Sequence, residues 1–250
     1  VPAGGWIAIG DAVMGPADAE GACGGASWSL RYSADAPELQ HLPRAWMYRA
    51  PLPRTKLTSP APAARFDGSV ELPNGTLHLE GWRGMVGHNW GAEHAERWIW
   101  LHGVGFAEEP DAWLDVAIGR VRVGGRLTPW VANGALSLEG RRLPLGGLSA
   151  RGLLVAETPT HCRLSLPGAE GAQLDVHVAA PAQRLAGWRY ADPDGGEHDV
   201  SNCSVAALTL TLRRAGSAPA RTLHTEHGGA YELGMREHDH GVSIAPFADG

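Results

Sequence analysis

The chain has 250 residues and a formal net charge of −6, with 34 Gly and 18 Pro. About one residue in five is therefore a helix breaker, against a usual share of about 12%, which excludes a helical bundle or coiled coil. With 44% apolar residues the chain is not a disordered tail, and no run of about 18 apolar residues offers a membrane span.

Of the 21 basic residues only Lys56 is a lysine. No basic stripe with interleaved aromatics exists, so nucleic acid is not an expected partner. The cysteines, Cys23, Cys162 and Cys203, are odd in number and far apart. That pattern fits a reducing compartment rather than a disulfide framework. The first residues show no charged-then-apolar leader, and a cytoplasmic location is expected. The chain begins without Met, as a processed chain or a piece of a longer one would. Its oligomeric state is not readable.

Short alternating segments dominate from the start. In 26–33, Trp28, Leu30 and Tyr32 share one face. Residues 43–62 are Pro-rich and predict an irregular, extended crossover. Two short strands are expected in 65–80 around Asn74-Gly75, a strong hairpin signal. Strands are then expected over 96–106, 112–123, 161–166, 173–178, 184–190, 205–213, 221–226 and 231–236. Turn clusters at Gly124-Gly125, Gly146-Gly147, Pro167-Gly168, Asp194-Gly195-Gly196 and Gly228-Gly229 separate several of them. No segment keeps a helical period over three turns. The reading is all-β and antiparallel, a barrel or sandwich.

An internal echo divides the chain. Gly84-Met85-x-x-His88 recurs 150 residues later as Gly234-Met235-x-x-His238. Read as the closing strands of two related β units, the echo gives a first domain over 1–94 and a second over 95–250.

The stretch 88–102 carries three His, three Trp and an Asn. Strand alternation puts Trp98, Trp100 and His102 on one face and Arg97, Ile99 and Leu101 on the other. Two indoles and an imidazole suit an apolar pocket with one polar handle, although indoles also fill ordinary cores. The following strand holds Asp115 in an apolar run. Buried, it would have a raised pKa; alternatively it is solvated or paired with Arg120 or Arg122. A five-residue loop would pair His102 with Val116 and place Asp115 on the opposite face, whereas a one-residue bulge would bring Asp115 to His102.

In the tail, His238 and His240 would share a face beside Glu237. With His88, His94 or Glu93 they could make a metal site, but the spacings match no zinc pattern, so no metal or other cofactor is expected. A G-x-S-x-G elbow and a strand-linked G-x-G-x-x-G are both missing.

At His88-Asn89-Trp90-Gly91 the sequence resembles the lipocalin-like superfamily of carotenoid hydratases (hydroxyneurosporene synthase type), tocopherol-cyclase-like proteins and decalin-forming Diels–Alderases. Their motif of acid, base, Asn or Glu, Trp and Gly or Ser closes a first β domain and precedes a Trp-rich strand. Here Gly87 stands at the acid position. The resemblance implies two lipocalin-like antiparallel β-barrel or sandwich domains, the first shortened, with an apolar ligand inside or between them.

Three functional readings follow. The first is an enzyme that hydrates, cyclises or isomerises a hydrophobic olefinic, terpenoid or polyketide-like molecule by protonating it. In that reading His88, His94, Asp115 and Glu237 are the catalytic candidates. Asn89, Trp90, Trp98, Trp100, His102 and His238 line the ligand. Trp faces stabilise a cation best, and a neutral acid must deliver the proton. The second is a carrier or sensor of such a molecule, with the same pocket. In the third, His88–Gly91 only clamps two sheets together.

Overall fold

A computed structural model describes residues 7–148, 151–216 and 219–245. Among them nearly all regular structure is β. The ladders of the larger sheet are antiparallel, as are those that join Ile7–Ile9, Ala12–Met14, Asp18–Cys23, Ala26–Ala34 and Thr55–Leu72 in succession in the first sheet. The antiparallel all-β reading of the sequence therefore holds.

The first sheet comprises Ile7–Ile9 (β1), Ala12–Met14 (β2), Asp18–Cys23 (β3), Ala26–Ala34 (β4), Leu39–Gln40 (β5), Thr55–Leu72 (β6) and Gly75–Gly91 (β7). Its order is β1-β2-β3-β4-β6-β5, with β7 also on β6. Trp28, Leu30 and Tyr32 do share the more covered face of β4, and Tyr32 meets Phe66 at 5.5 Å between ring centroids. The Asn74-Gly75 hairpin forms, but its strands are 18 and 17 residues long rather than short. Pro60 and Pro62 lie inside β6 instead of in an irregular crossover. Two residues apart, they turn their missing N–H positions to the same side of the strand, and that is what a strand can tolerate.

After β7 come Arg97–Gly103 (β8) and Trp113–Arg120 (β9). A separate two-stranded ribbon, Arg122–Val123 (β10) and Arg126–Leu127 (β11), turns at Gly124-Gly125. The main sheet continues with Val131–Leu138 (β12), Arg141–Gly146 (β13), Leu154–Glu157 (β14), His161–Pro167 (β15) and Gln173–Ala179 (β16). Ala186–Ala191 (β17), Glu197–Arg213 (β18) and Arg221–Met235 (β19) complete it. The ten strands run β13-β12-β9-β8-β19-β18-β16-β15-β14, with β17 on β18. An antiparallel bridge joins Leu145, on edge strand β13, to Gly168, just past β15. The sheet thus curls back towards itself.

Its aliphatic core is built by strand parity. Ile99 and Leu101 of β8, Leu114, Val116 and Ile118 of β9, and Tyr231 and Leu233 of β19 are all buried in one cluster. Leu164, Leu166, Leu174, Val176, Leu208 and Leu210 join it from the other strands. At about 25 cal/mol per Å² of buried apolar surface, this cluster is the main source of the unit's stability.

One expected break does not occur. Gly228-Gly229 reads as a turn between two strands, yet β19 runs through it unbroken. A Cβ on Gly228 would run into the Val104 carbonyl, and one on Gly229 into Leu208 and the Ala206 carbonyl. These glycines admit a close backbone approach rather than a reversal.

By internal contacts the chain forms two units. One joins the residues up to Leu39 with Thr58–His88; the other joins Gln40–Leu57 with the residues from Asn89 on. In the second unit the C-terminal tail is fastened to β18. His238 Nδ1 and His240 Nε2 donate to Asp199 Oδ2 at 2.6 and 3.1 Å, and Arg189 Nε donates to Oδ1 at 2.8 Å. Burial alone would raise the Asp199 carboxyl, but the Arg189 and histidine donors win and hold it well below its usual range.

A depressed carboxyl adds stability above its unfolded pKa of about 3.9 and loses it as pH falls through the folded value. Asp199→Asn is therefore expected to destabilise the protein by about 1–3 kcal/mol at neutral pH. The difference from wild type should shrink below about pH 4 in urea unfolding followed across pH.

Candidate functional site

Strand β8 is two-sided. Ile99 and Leu101 enter the aliphatic core, and Trp98, Trp100 and His102 point to the opposite face of the sheet. Cross-strand pairing fixes what joins them. Glu232 of β19 pairs with Trp100, Gly234 with Trp98, and Asp115 of β9 with His102. Beyond β19, Asn202 of β18 pairs with Glu232; on β17, Tyr190 pairs with His198. This face is aromatic and polar where the other is aliphatic.

The β8–β9 register answers the question of Asp115. His102 pairs with Asp115, one residue away from the Val116 partner that a plain five-residue loop implies. Asp115 thus lies on the Trp98–His102 side. It is fully buried, and neither Arg120 nor Arg122 holds it: Arg120 bonds Thr128, and Arg122 bonds Glu96. Trp100 Nε1 donates to Asp115 Oδ1 at 3.1 Å, and His41 Nε2 lies 3.5 Å from Oδ2. His41 Nδ1 is 3.1 Å from the Asn133 carbonyl; because a carbonyl only accepts, Nδ1 carries the hydrogen. His102 stacks on Trp100 at 6.2 Å. His41 looks like an ordinary surface residue in the sequence, but it is 4% exposed.

A second cluster surrounds Trp98. Its indole stacks on His94 at 5.1 Å and lies parallel to Tyr190 at 6.2 Å, with His198 edge-on at 5.0 Å. The ring can lie there because position 234 is glycine: a Cβ would penetrate the indole. In the echoed motif, a Cβ on Gly84 would meet the Phe66 ring at 2.9 Å. Both glycines of the echo thus make room for a ring.

Trp98 Nε1 donates to Glu232 Oε1 at 2.9 Å, and Asn202 also bonds this carboxyl. Both donors favour the charged form, yet burial outweighs them and pushes the Glu232 pKa up. His94 Nδ1 donates to Asp192 Oδ1 at 2.6 Å, and the His94 backbone N–H bonds the same oxygen at 3.0 Å. Burial would raise the Asp192 carboxyl, but these bonds win and lower it. His198, wholly buried, has its pKa lowered by burial first and then by the Arg236 charge.

The other candidates lie elsewhere. His88 ends the first unit, partly covered, with its pKa lowered by burial. Asn89 is exposed; Trp90 stacks on Tyr48 at 5.9 Å, and the Tyr48 hydroxyl donates to the Leu57 carbonyl. Gly91, at φ +152°, lies against the Arg54 carbonyl, where a Cβ would not fit. The Trp-Gly pair therefore ties the end of β7 to the 40–57 segment. Glu237 is 60% exposed and paired with Arg97 at 2.7 Å, and His238 belongs to the tail fastening.

Of the residues singled out from the sequence, Trp98 thus lies against His94, and Trp100 beside His102 and Asp115. The sequence alone does not single out Glu232, Asn202, Tyr190, Asp192 or His198, which join them. Glu232 stands two residues before the echoed Gly234, and continuing strand alternation back from that glycine would have found it.

Gly234→Val is expected to displace the Trp98 ring and cost about 1–3 kcal/mol. Urea unfolding would read the cost. Trp fluorescence of the native state would shift as the ring moves from its Glu232 partner.

No protein-family model matches the chain. It is similar to the uncharacterized proteins Rv0493c and MT0513 of two Mycobacterium tuberculosis strains, each 28% identical over 234 residues, covering 92% of this chain and 67% of the relative. Among solved structures it is similar to kievitone hydratase from Nectria haematococca, at 11% identity and TM-score 0.46, covering 94% of this chain and 69% of that one.

Proposed function

We propose that the protein is an enzyme that protonates a hydrophobic olefinic molecule, of terpenoid or polyketide type, and so hydrates, isomerises or cyclises it. The observation that carries this reading is the Glu232 carboxyl, raised by burial and held between the Trp98 indole N–H and Asn202.

Proton transfer to a C=C bond needs a carboxyl that is still protonated near neutral pH and a site that does not quench the cation formed. Burial moves Glu232 towards the first need, whereas Glu237 is exposed and held by Arg97. Trp98, Trp100 and Tyr190 meet the second, because their ring faces carry negative charge density. His94, oriented by Asp192, would hold the water that captures the cation or would take the final proton. Asp115, fixed by Trp100 and His41, would keep the second indole in place. In this reading the substrate is the chain's partner, the lipocalin-like sheet is its scaffold, and the 1–94 and 95–250 division separates the segment before β8 from the one that bears the acid.

Incubation with a panel of terpenoid and polyketide olefins in D2O, read by mass spectrometry, is expected to show deuterium added to carbon. Glu232→Gln should lower kcat by about 100-fold or more while KM changes little. An acid works only when protonated, so wild-type kcat should fall as pH rises through the raised Glu232 pKa, and the Gln variant should lose that limb. Binding without turnover, unchanged in Glu232→Gln, would favour the carrier reading instead.

A further inference from the structure

Three side chains near Trp98 have more binding capacity than the fold uses. His94, Asp192 and His198 each offer one ligand atom, and these atoms lie within 4.8 Å of one another. They come from separate places. His94 sits in the segment before β8, Asp192 follows the end of β17, and His198 lies near the start of β18. The turn between those two strands is tight, with the Asp192 N–H on the Gly196 carbonyl at 2.7 Å and the Gly195 N–H on the Asp192 carbonyl at 2.9 Å.

The second observation is independent of the grouping. The His198 side chain is 0% exposed and that of Asp192 1%. Among the described residues, neither ring nitrogen of His198 has a hydrogen-bond partner, nor does Asp192 Oδ2. Buried polar atoms are rarely left in that condition, and a bound ion is one of the few things that accounts for it. His198 Nδ1 already faces Asp192 Oδ2 at 3.7 Å. Donors bound to one ion at about 2.1 Å stand about 3.4 Å apart in a tetrahedral site.

We propose that His94, Asp192 and His198 form a binding site for a divalent transition-metal ion. Two imidazoles and one carboxylate suit Zn2+ or Fe2+ better than Mg2+ or Ca2+, and three protein donors leave a coordination position open. If Nδ1 of His94 takes the ion, its hydrogen moves through solvent to Nε2; if Nε2 takes it after a ring turn, Nδ1 keeps its hydrogen, so the imidazole stays neutral and no electron is transferred. The inference does not rest on the acid role of Glu232.

The test is titration of the chelator-treated full chain with Zn2+ by calorimetry and with Co2+ by visible absorption. One ion should bind per chain, with a Co2+ spectrum of nitrogen and oxygen ligands and no thiolate band. Asp192→Asn and His198→Gln should each weaken binding by about 100-fold or more, with folding checked by circular dichroism. Glu232→Gln should bind the ion as wild type does, so a loss of turnover in that variant and a failure of metal binding are separate results. Should either ligand variant fail to fold, Co2+ broadening of histidine NMR signals in wild type decides: the His94 and His198 signals should vanish first. No binding by wild type, binding undiminished in the folded ligand variants, or broadening confined to other histidines would each overturn the proposal.

Discussion

A carboxylic acid set among indoles is a costly arrangement, and the rest of the site follows from how that cost is met. Glu232 has two donors, the Trp98 N–H and Asn202, and they do not compensate for the loss of water. The group therefore holds its proton to higher pH than a solvated glutamate would. Trp98 can reach it only because Gly234 leaves room for the ring. The backbone pairing of β8, β18 and β19 then sets Glu232 beside both Trp100 and Asn202. One glycine and one strand register thus fix an acid inside an aromatic setting.

The same parity that collects the aromatic and polar groups keeps them apart from the core. Ile99 and Leu101 of β8 pack with leucines and valines of the curled sheet, and the alternate positions carry Trp98, Trp100 and His102 to its other side. A substitution on the aromatic face can therefore alter chemistry without opening a cavity in the core. Changes at Ile99 or Leu101 would act on stability first. Aromatic contacts such as Trp98 on His94 and Tyr190 are worth about 0.5–1.5 kcal/mol each. That is enough to hold ring orientation but small beside the burial of the aliphatic cluster.

Strand alternation and turn chemistry made much of this visible in the sequence. The Asn74-Gly75 hairpin, the sharing of one face by Trp98, Trp100 and His102, and most strands of the larger sheet follow from period-two patterning. What escaped was set by tertiary pairing. Whether Asp115 joins His102 depends on a one-residue difference in register, which the loop from Val104 to Ala112 decides and composition does not. Gly228-Gly229 carries the signature of a turn but answers a steric need from Val104 and Leu208, both distant in sequence. Asp192 and His198 look like members of a polar hairpin end; their burial beside His94 arises only when that hairpin folds onto the segment before β8. The contacts of the Trp90-Gly91 pair, Gly91 on the Arg54 carbonyl and Trp90 on the Tyr48 ring, also arise only in the folded chain.

The protonation state of Glu232 tests the account most directly. Carboxyl carbons can be followed by NMR in protein labelled at glutamate side chains, with Glu232→Gln used to assign the signal. The account predicts a titration midpoint above the ordinary glutamate value of about 4.3, so that a protonated fraction persists above the pH at which solvated glutamates have ionised. A midpoint at or below that value would mean a charged carboxylate sits against Trp98, and the proposed proton donor would not exist.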